Sequence, residues 1–332
     1  MRVSFETMFN EFKRVLINIG FSNNKARLCA RLFSESSLDG VYSHGVNRFP
    51  LFIDYIKKGI IKIHNDPVRI QKLGIFERWD GQLGPGNLNA YSSMSRAIEI
   101  ANTNGMGCVA LRNTNHWMRG GTYGWQAADA NCIALCFTNT MPNMPPWGAL
   151  DKKVGNNPLV LAIPRAEGHI VLDMAMSQFS YGKLNIYLRN NEQLPLPGGY
   201  DTDGNLTCDP SQIKETGRFL PAGYWKGSGL AIILDLFASI LSDGNATHMV
   251  DHSGDEYGLS QIFMAWNPAK LKSENLKQTF VTEVVNFIRN AEPATQGEKV
   301  YYPGERTLKT REHNRQHGIP VEKEIWDKII TM

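Results

Sequence analysis

Four short apolar or β-rich runs between positions 106 and 174 constrain the fold most. Residues 106–111, 133–138, 159–163 and 170–174 are each bounded by turn residues, which predicts strands. Between the first two, residues 124–130 read as a helix, so this stretch is α/β. No G-x-G-x-x-G lies between a strand and a helix anywhere in the chain, so the usual dinucleotide fingerprint is absent.

Helices dominate the flanks. From Ser4, the residues Phe5, Met8, Phe9, Phe12, Val15, Leu16 and Ile19 recur at three- and four-residue spacing, and Gly20 follows as a stop. A second helix begins near Ser22 or Asn23, carries Ala26, Cys29, Leu32 and Phe33 on one face, and ends around 39–40. A third runs up to Lys57-Lys58-Gly59. Beyond a Pro/Gly-rich connection, residues 87–104 place Met94, Ala97, Ile98 and Ala101 on a helical face. The stretch 198–221, rich in Gly, Pro, Asp and Asn, reads as a long loop. Residues 230–241 are apolar on most sides and predict a buried helix, 261–266 a strand, and 278–290 an amphipathic helix.

Bulk properties exclude several classes. With 332 residues the chain is long enough for an extensive core. Its 35 basic and 32 acidic residues are interspersed, which argues against a nucleic-acid surface but leaves room for a small anionic ligand. No apolar run approaches the roughly 20 residues that span a bilayer, and residues 1–20 mix charge with apolar groups, so neither a signal peptide nor a membrane anchor is expected. The five cysteines are odd in number and scattered, which suits a reducing cytoplasm.

Three clusters carry chemistry. In Ser43-His44-Gly45-Val46-Asn47-Arg48, an imidazole can exchange a proton near neutral pH and a guanidinium can grip a carboxylate, a pair suited to a keto acid. On spacing alone, a capping histidine and a solvated arginine explain the cluster more simply. If the helix includes Gly45, His44 and Arg48 share a face, whereas Pro50 favours a start nearer Asn47. The second cluster, Asn113-Thr114-Asn115-His116-Trp117 followed by Arg119-Gly120-Gly121, comes after a predicted strand and fits a ligand loop or a structural turn. The third, Lys226-Gly227-Ser228-Gly229, precedes an apolar helix whose first amides could attract phosphate, or is a plain glycine-rich cap. His248 with His252, and His313 with His317, have metal-ligand spacing but no third ligand or zincin glutamate, and no metal is expected. Cys132 and Cys136 read as core.

The order of these clusters is more specific than any one of them. Ser43-His44-Gly45 with Arg48, Asn115-His116, Asn156-Asn157-Pro158, Asp173-Met174-Ala175, Gly227, Pro303-Gly304-Glu305 and Gly318-Ile319-Pro320 together resemble the type 2 malate/L-lactate dehydrogenase family over essentially the whole chain. The resemblance implies a non-Rossmann nicotinamide-binding fold: a mixed β-sheet flanked by helices. An α/β core over 71–290 would carry cofactor and substrate, and a helical subdomain over 1–70 would pack with a C-terminal segment over 291–332, usually in a homodimer. It further implies His44 as proton donor, with Ser43, Arg48 and His116 holding a keto acid. His169, Ile170, Val171, Leu172, Asp173, Met174, Ala175, Trp225, Lys226, Glu305, Arg306 and Thr307 match its cofactor-binding segments. No arginine cluster is placed to grip a 2′-phosphate, which favours NADH over NADPH. Trp117-Met118 departs from the Phe or Tyr followed by Gly of many relatives, and leaves the choice among keto acids, including those of malate, L-lactate and ureidoglycolate dehydrogenases, open. A non-catalytic binder of keto-sugar acids is the alternative of another class.

Overall fold

The computed structural model describes residues 1–252, 254–272 and 278–332. A two-residue strand, β1 (Arg2–Val3), leads into helices α1 (Phe5–Asn18), α2 (Asn23–Leu38) and α3 (Phe49–Lys57). Ser4 and Ser22 start the first two, their side chains accepting from the amides of Thr7 and Lys25, as serine at an N-cap does. Next come β2 (Val68–Leu73), β3 (Phe76–Asp80), α4 (Gly86–Asn104), β4 (Met106–Thr114), α5 (Gly121–Asp129), β5 (Ile133–Thr138), β6 (Leu159–Ile163), β7 (Ile170–Met174) and α6 (Tyr181–Asn190). The chain continues through β8 (Gly199–Tyr200), β9 (Leu206–Thr207), α7 (Pro210–Thr216), α8 (Trp225–Ser242), α9 (Thr247–Val250), β10 (Asp251–His252), β11 (Asp255–Glu256) and β12 (Leu259–Trp266). It ends with α10 (Gln278–Arg289), α11 (Glu305–His317), β13 (Ile319–Pro320) and α12 (Lys323–Ile330).

The main sheet has seven strands in the order β2-β3-β4-β12-β5-β6-β7. Only the β3–β4 pair is parallel, so the sheet is mixed, as the sequence resemblance implies. Successive side chains of a strand point to opposite faces. Accordingly Val109, Leu111, Phe263 and Ala265 face one core with α4 and α5, while Cys108, Ala110 and Ile262 face another with Ala231, Leu234 and Ala238 of α8. A third core joins α1, α2 and α3 to Trp326 and Ile329 of α12. Its centre is aromatic: Phe12 stacks on Phe49 at 4.2 Å, and Phe33 meets Phe49 edge-on at 5.2 Å. The two chain ends are tied together by the antiparallel β1–β13 pair.

Two expectations need correction. The 198–221 stretch is not simply a loop, since it holds β8, β9 and α7; Asp209 caps that helix and Pro210 occupies its first turn. Helix α8 is only partly buried. Leu230, Ile233, Phe237 and Ile240 form an outward stripe, with Phe237 54% and Ile240 66% accessible. Among the described residues it is the one helix long and apolar enough to cross a membrane. Its inner face nevertheless packs on the sheet, and its mid-helix Asp235 accepts from the side chain of Asn139 at 2.9 Å and from the amide of Thr247 at 2.9 Å. Helix α10 shows a similar apolar stripe of Phe280, Val284, Phe287 and Ile288.

Candidate active site

Helix α2 ends at Asp39, and Tyr42–His44 form a single 3-10 turn before Arg48 caps α3. Gly45 makes this junction possible. A Cβ there would stand 2.2 Å from the Ser37 hydroxyl oxygen, and the same hydroxyl accepts from the amide of Val46 at 2.8 Å. His44 and Arg48 therefore do not share one helical face; the turn and the helix start separate them, which settles the geometry that Pro50 left open. Nδ1 of His44 lies 2.9 Å from the Ser43 hydroxyl.

His116 arrives from the loop after β4, where that loop crosses the start of α4. A Cβ on Gly86 would come within 2.3 Å of the carbonyl oxygens of Asn115 and His116, so only glycine permits the approach. The amide of Met118 donates to Nδ1 of His116 at 2.9 Å. A neutral ring then carries its proton on Nε2. Met118 achieves this with φ of 66°, in the left-handed region where most side chains are strained. The rings of His44 and His116 stack at 5.7 Å. His116 lines a pocket with Arg48, Tyr55 and Asn115 on its polar side and Leu51, Phe52, Ile61 and Met118 on its apolar side. Burial, followed by the guanidinium charges of Arg48 and Arg119, pushes the His44 pKa down to about 4. Burial, then Arg48 and His44, hold His116 well below the usual histidine range.

Arg119 and Asp39 carry no motif that reveals their role. Both are buried and paired, and Arg311 of α11 grips the same carboxylate at 2.6 and 2.8 Å. Burial raises the Asp39 pKa, but the two arginines more than offset it and keep it below the usual carboxylate range. The Nε of Arg119 lies 3.9 Å from Asp173 on β7, whose carboxylate also accepts from the amide of Gly121 at 2.8 Å.

The three segments matched to cofactor binding converge on the edge strand β7. The amide of Val171 donates to the carbonyl of Pro303 at 3.0 Å, which sets Glu305, Arg306 and Thr307 of α11 beside the strand. The amide of Ala222 donates to the carbonyl of Met176 at 2.8 Å, which sets Trp225 and Lys226 near its end. Within β7, Val171 turns into the core, while Ile170, Leu172, Met174 and the following Ala175 remain partly accessible. His169 is engaged: its Nδ1 accepts from the amide of Arg165, and its Nε2 meets Asp129 at 2.9 Å. The amides of Lys226, Gly227 and Ser228 already donate to Gly223, Ala222 and Tyr224, so the glycine-rich segment offers the Lys226 cation and the exposed Trp225 ring in place of a free amide cradle. His248 lies on α9, His252 stacks on Tyr257 at 4.1 Å, and His313 stacks on His317 at 4.4 Å. Among the described residues no group of three metal-ligating side chains forms.

Arg48 and His116 line one narrow pocket, and a guanidinium that can grip a carboxylate beside an imidazole that can exchange a proton are the groups that chemistry on hydroxy or keto acids calls for. The chain belongs to the malate/L-lactate dehydrogenase family, which it matches over residues 3–330. It is 46% identical over 330 residues to 2,3-diketo-L-gulonate reductase of Escherichia coli O1:K1 / APEC, covering 99% of both chains. Its fold is similar to that of sulfolactate dehydrogenase from Methanocaldococcus jannaschii, with a TM-score of 0.91 and 30% identity over 99% of this chain and 95% of that one. Malate dehydrogenase from Entamoeba histolytica is similar at a TM-score of 0.92 and 26% identity, over 99% and 96% of the two chains.

Removing one partner from a buried ion pair leaves an uncompensated charge. Asp39→Asn, which leaves Arg119 and Arg311 facing a neutral amide, is expected to lower stability by about 3 to 5 kcal/mol in urea unfolding. A loss below about 1 kcal/mol would show that the arginines find other partners and that Asp39 is not the joint described.

Proposed function

We propose that the protein is an NADH-dependent reductase of α-keto acids, with 2,3-diketo-L-gulonate reduced to 3-dehydro-L-gulonate, and that His44 is the proton donor. The observation that carries this reading is the pocket in which Arg48 and His116 meet, with the His44 ring stacked on His116. The substrate follows from the name of the relatives at 46% identity. In this reading Arg48 takes the substrate carboxylate in its planar fork, Ser43 steadies the His44 ring through Nδ1, and His116 donates from Nε2 toward the carbonyl oxygen.

The residues around β7 suit a dinucleotide. Glu305 is 8% accessible, and its Oε1 holds Arg289 and Lys309, while its Oε2 is buried with no hydrogen-bond partner among the described residues. That free acceptor fits a ribose hydroxyl, the role carboxylates play in NAD sites, and favours NADH. Trp225 and Lys226 add an aromatic face and a cation; Arg306 packs over Tyr301 and leaves its charge accessible. The bound nicotinamide supplies the hydride to the carbonyl carbon. His44 supplies the proton to the oxygen, and the Nε2 proton of His116 offsets the charge that develops there.

Neutral in the free pocket, His44 is ready to accept a proton from a hydroxy acid; for reduction it must first be protonated. A substrate carboxylate seated on Arg48 cancels one of the charges that hold its pKa down, so binding draws a proton in. The sign is fixed by this requirement. Because only the protonated ring reduces, kcat/KM for keto-acid reduction should fall about tenfold per pH unit above the free-enzyme pKa, while oxidation of the hydroxy acid should be flat between about pH 6 and 8. His44→Asn should erase the slope and lower turnover by roughly 100-fold or more with NADH binding retained. Near-normal turnover with the slope intact would assign the proton to His116.

Arg48→Lys keeps the charge but loses the fork, so kcat/KM should fall roughly 10- to 1000-fold while NADH binding changes little. Steady-state kinetics with a keto acid and its amide distinguish the roles: the amide should be a poor substrate already and nearly indifferent to the substitution. Equal losses for both would place the carboxylate elsewhere.

The apolar stripes on α8 and α10 fit a second copy of the chain, and five free cysteines, four of them buried, fit the cytoplasm. Sedimentation should show a homodimer that Phe237→Asp with Ile240→Asp converts to monomer. A monomeric parent protein would overturn the dimer.

A further inference from the structure

Glu256 is a buried carboxylate that the reaction as proposed does not use. It sits on β11, which is held against α3 by the ion pair of Lys58 with Asp255 at 3.0 Å and by the amide of Glu256 donating to the Tyr55 hydroxyl at 3.4 Å. Tyr55 in turn lines the pocket with Arg48 and His116. Glu256 is 7% accessible, and one carboxylate oxygen accepts from the amide of Met141 at 3.0 Å. Among the described residues no group donates to its other oxygen and no cation pairs with it. Buried carboxylates are ordinarily paired. Burial pushes the Glu256 pKa up, and of the cations nearby it is Arg48 whose charge pulls it back.

We infer that Glu256 determines which α-keto acids the pocket accepts: its free oxygen takes hydroxyl donors from the far end of a polyhydroxylated substrate, and its charge turns away a second carboxylate. This rests on the keto-acid reading above. Once the substrate carboxylate occupies Arg48, the cation that eases the burial of Glu256 is neutralised. Hydroxyl groups then satisfy the acceptor, whereas a dicarboxylate would bring a further anion beside it with nothing to balance the charge.

Glu256→Gln keeps the shape and one acceptor but removes the charge. The test is kcat/KM with NADH for 2,3-diketo-L-gulonate and oxaloacetate, each divided by the value for pyruvate, which has no distal polar group. The normalised value for diketogulonate should fall about tenfold or more and that for oxaloacetate should rise by a similar factor, the scale on which a charged hydrogen bond discriminates. Glu256→Asp, which keeps the charge but withdraws it, should lose the diketogulonate preference while still excluding oxaloacetate. Unchanged ratios, or equal losses for all three acids, would overturn the inference and leave Glu256 a packing residue. If the parent protein reduces none of the three, the keto-acid reading itself falls, and this inference with it.

Discussion

The carboxylate of Asp39, at the end of α2, takes Arg119 from the loop before α5 and Arg311 from α11. Three stretches far apart in sequence are thereby fixed to one buried point. Asp39 also stands at the head of the turn that carries Ser43 and His44, and Arg119 reaches on toward Asp173 of β7. The position of the imidazole and the position of β7 are thus set by the same group of charges. Asp39 and Arg119 are buried, where an unpaired charge would be costly, and Arg311 closes the group from its partly accessible side.

The same positive charges shape the chemistry. Arg48 and Arg119, together with burial, keep His44 neutral in the free pocket, and Arg48 does the same for His116. Two stacked imidazoles can share this space because neither is charged. In the proposed reaction a substrate anion on Arg48 would reverse part of that field, linking binding to proton supply. Met118 contributes through its backbone: a left-handed residue lets its amide reach back to His116 and choose the tautomer.

Local patterns made much of the fold legible. The three- and four-residue spacing of Phe5 to Ile19 and the serine caps mark α1 and α2, and the apolar runs mark β4 to β7, because these signals lie within one element. The hairpin β2–β3 escaped: residues 68–71 alternate apolar and polar, but the alternation breaks at Lys72, and all of β2 is exposed, so no buried face stands behind the pattern. The exposed stripe of α8 also escaped, because composition shows that a helix is apolar without showing which faces are covered. In the site, His44 and Arg48 stood out by residue type and by the family pattern. Asp39 read only as a helix end, Arg119 as part of a glycine loop, and Glu256 gave no signal at all. Their roles arise from pairing across 80 to 272 positions of sequence, which no window of local sequence contains.

The proposed function turns on hydride transfer to the carbonyl carbon of an α-keto acid. The most direct measurement follows deuterium from NADH labelled at C4 of the nicotinamide into the product of 2,3-diketo-L-gulonate, read by NMR. Deuterium should appear on the new carbinol carbon, in one configuration, with one NADH oxidised per product formed. Binding of the keto acid with no label transferred and no NADH consumed would contradict the claim, and would make this pocket a place that holds the acid without reducing it.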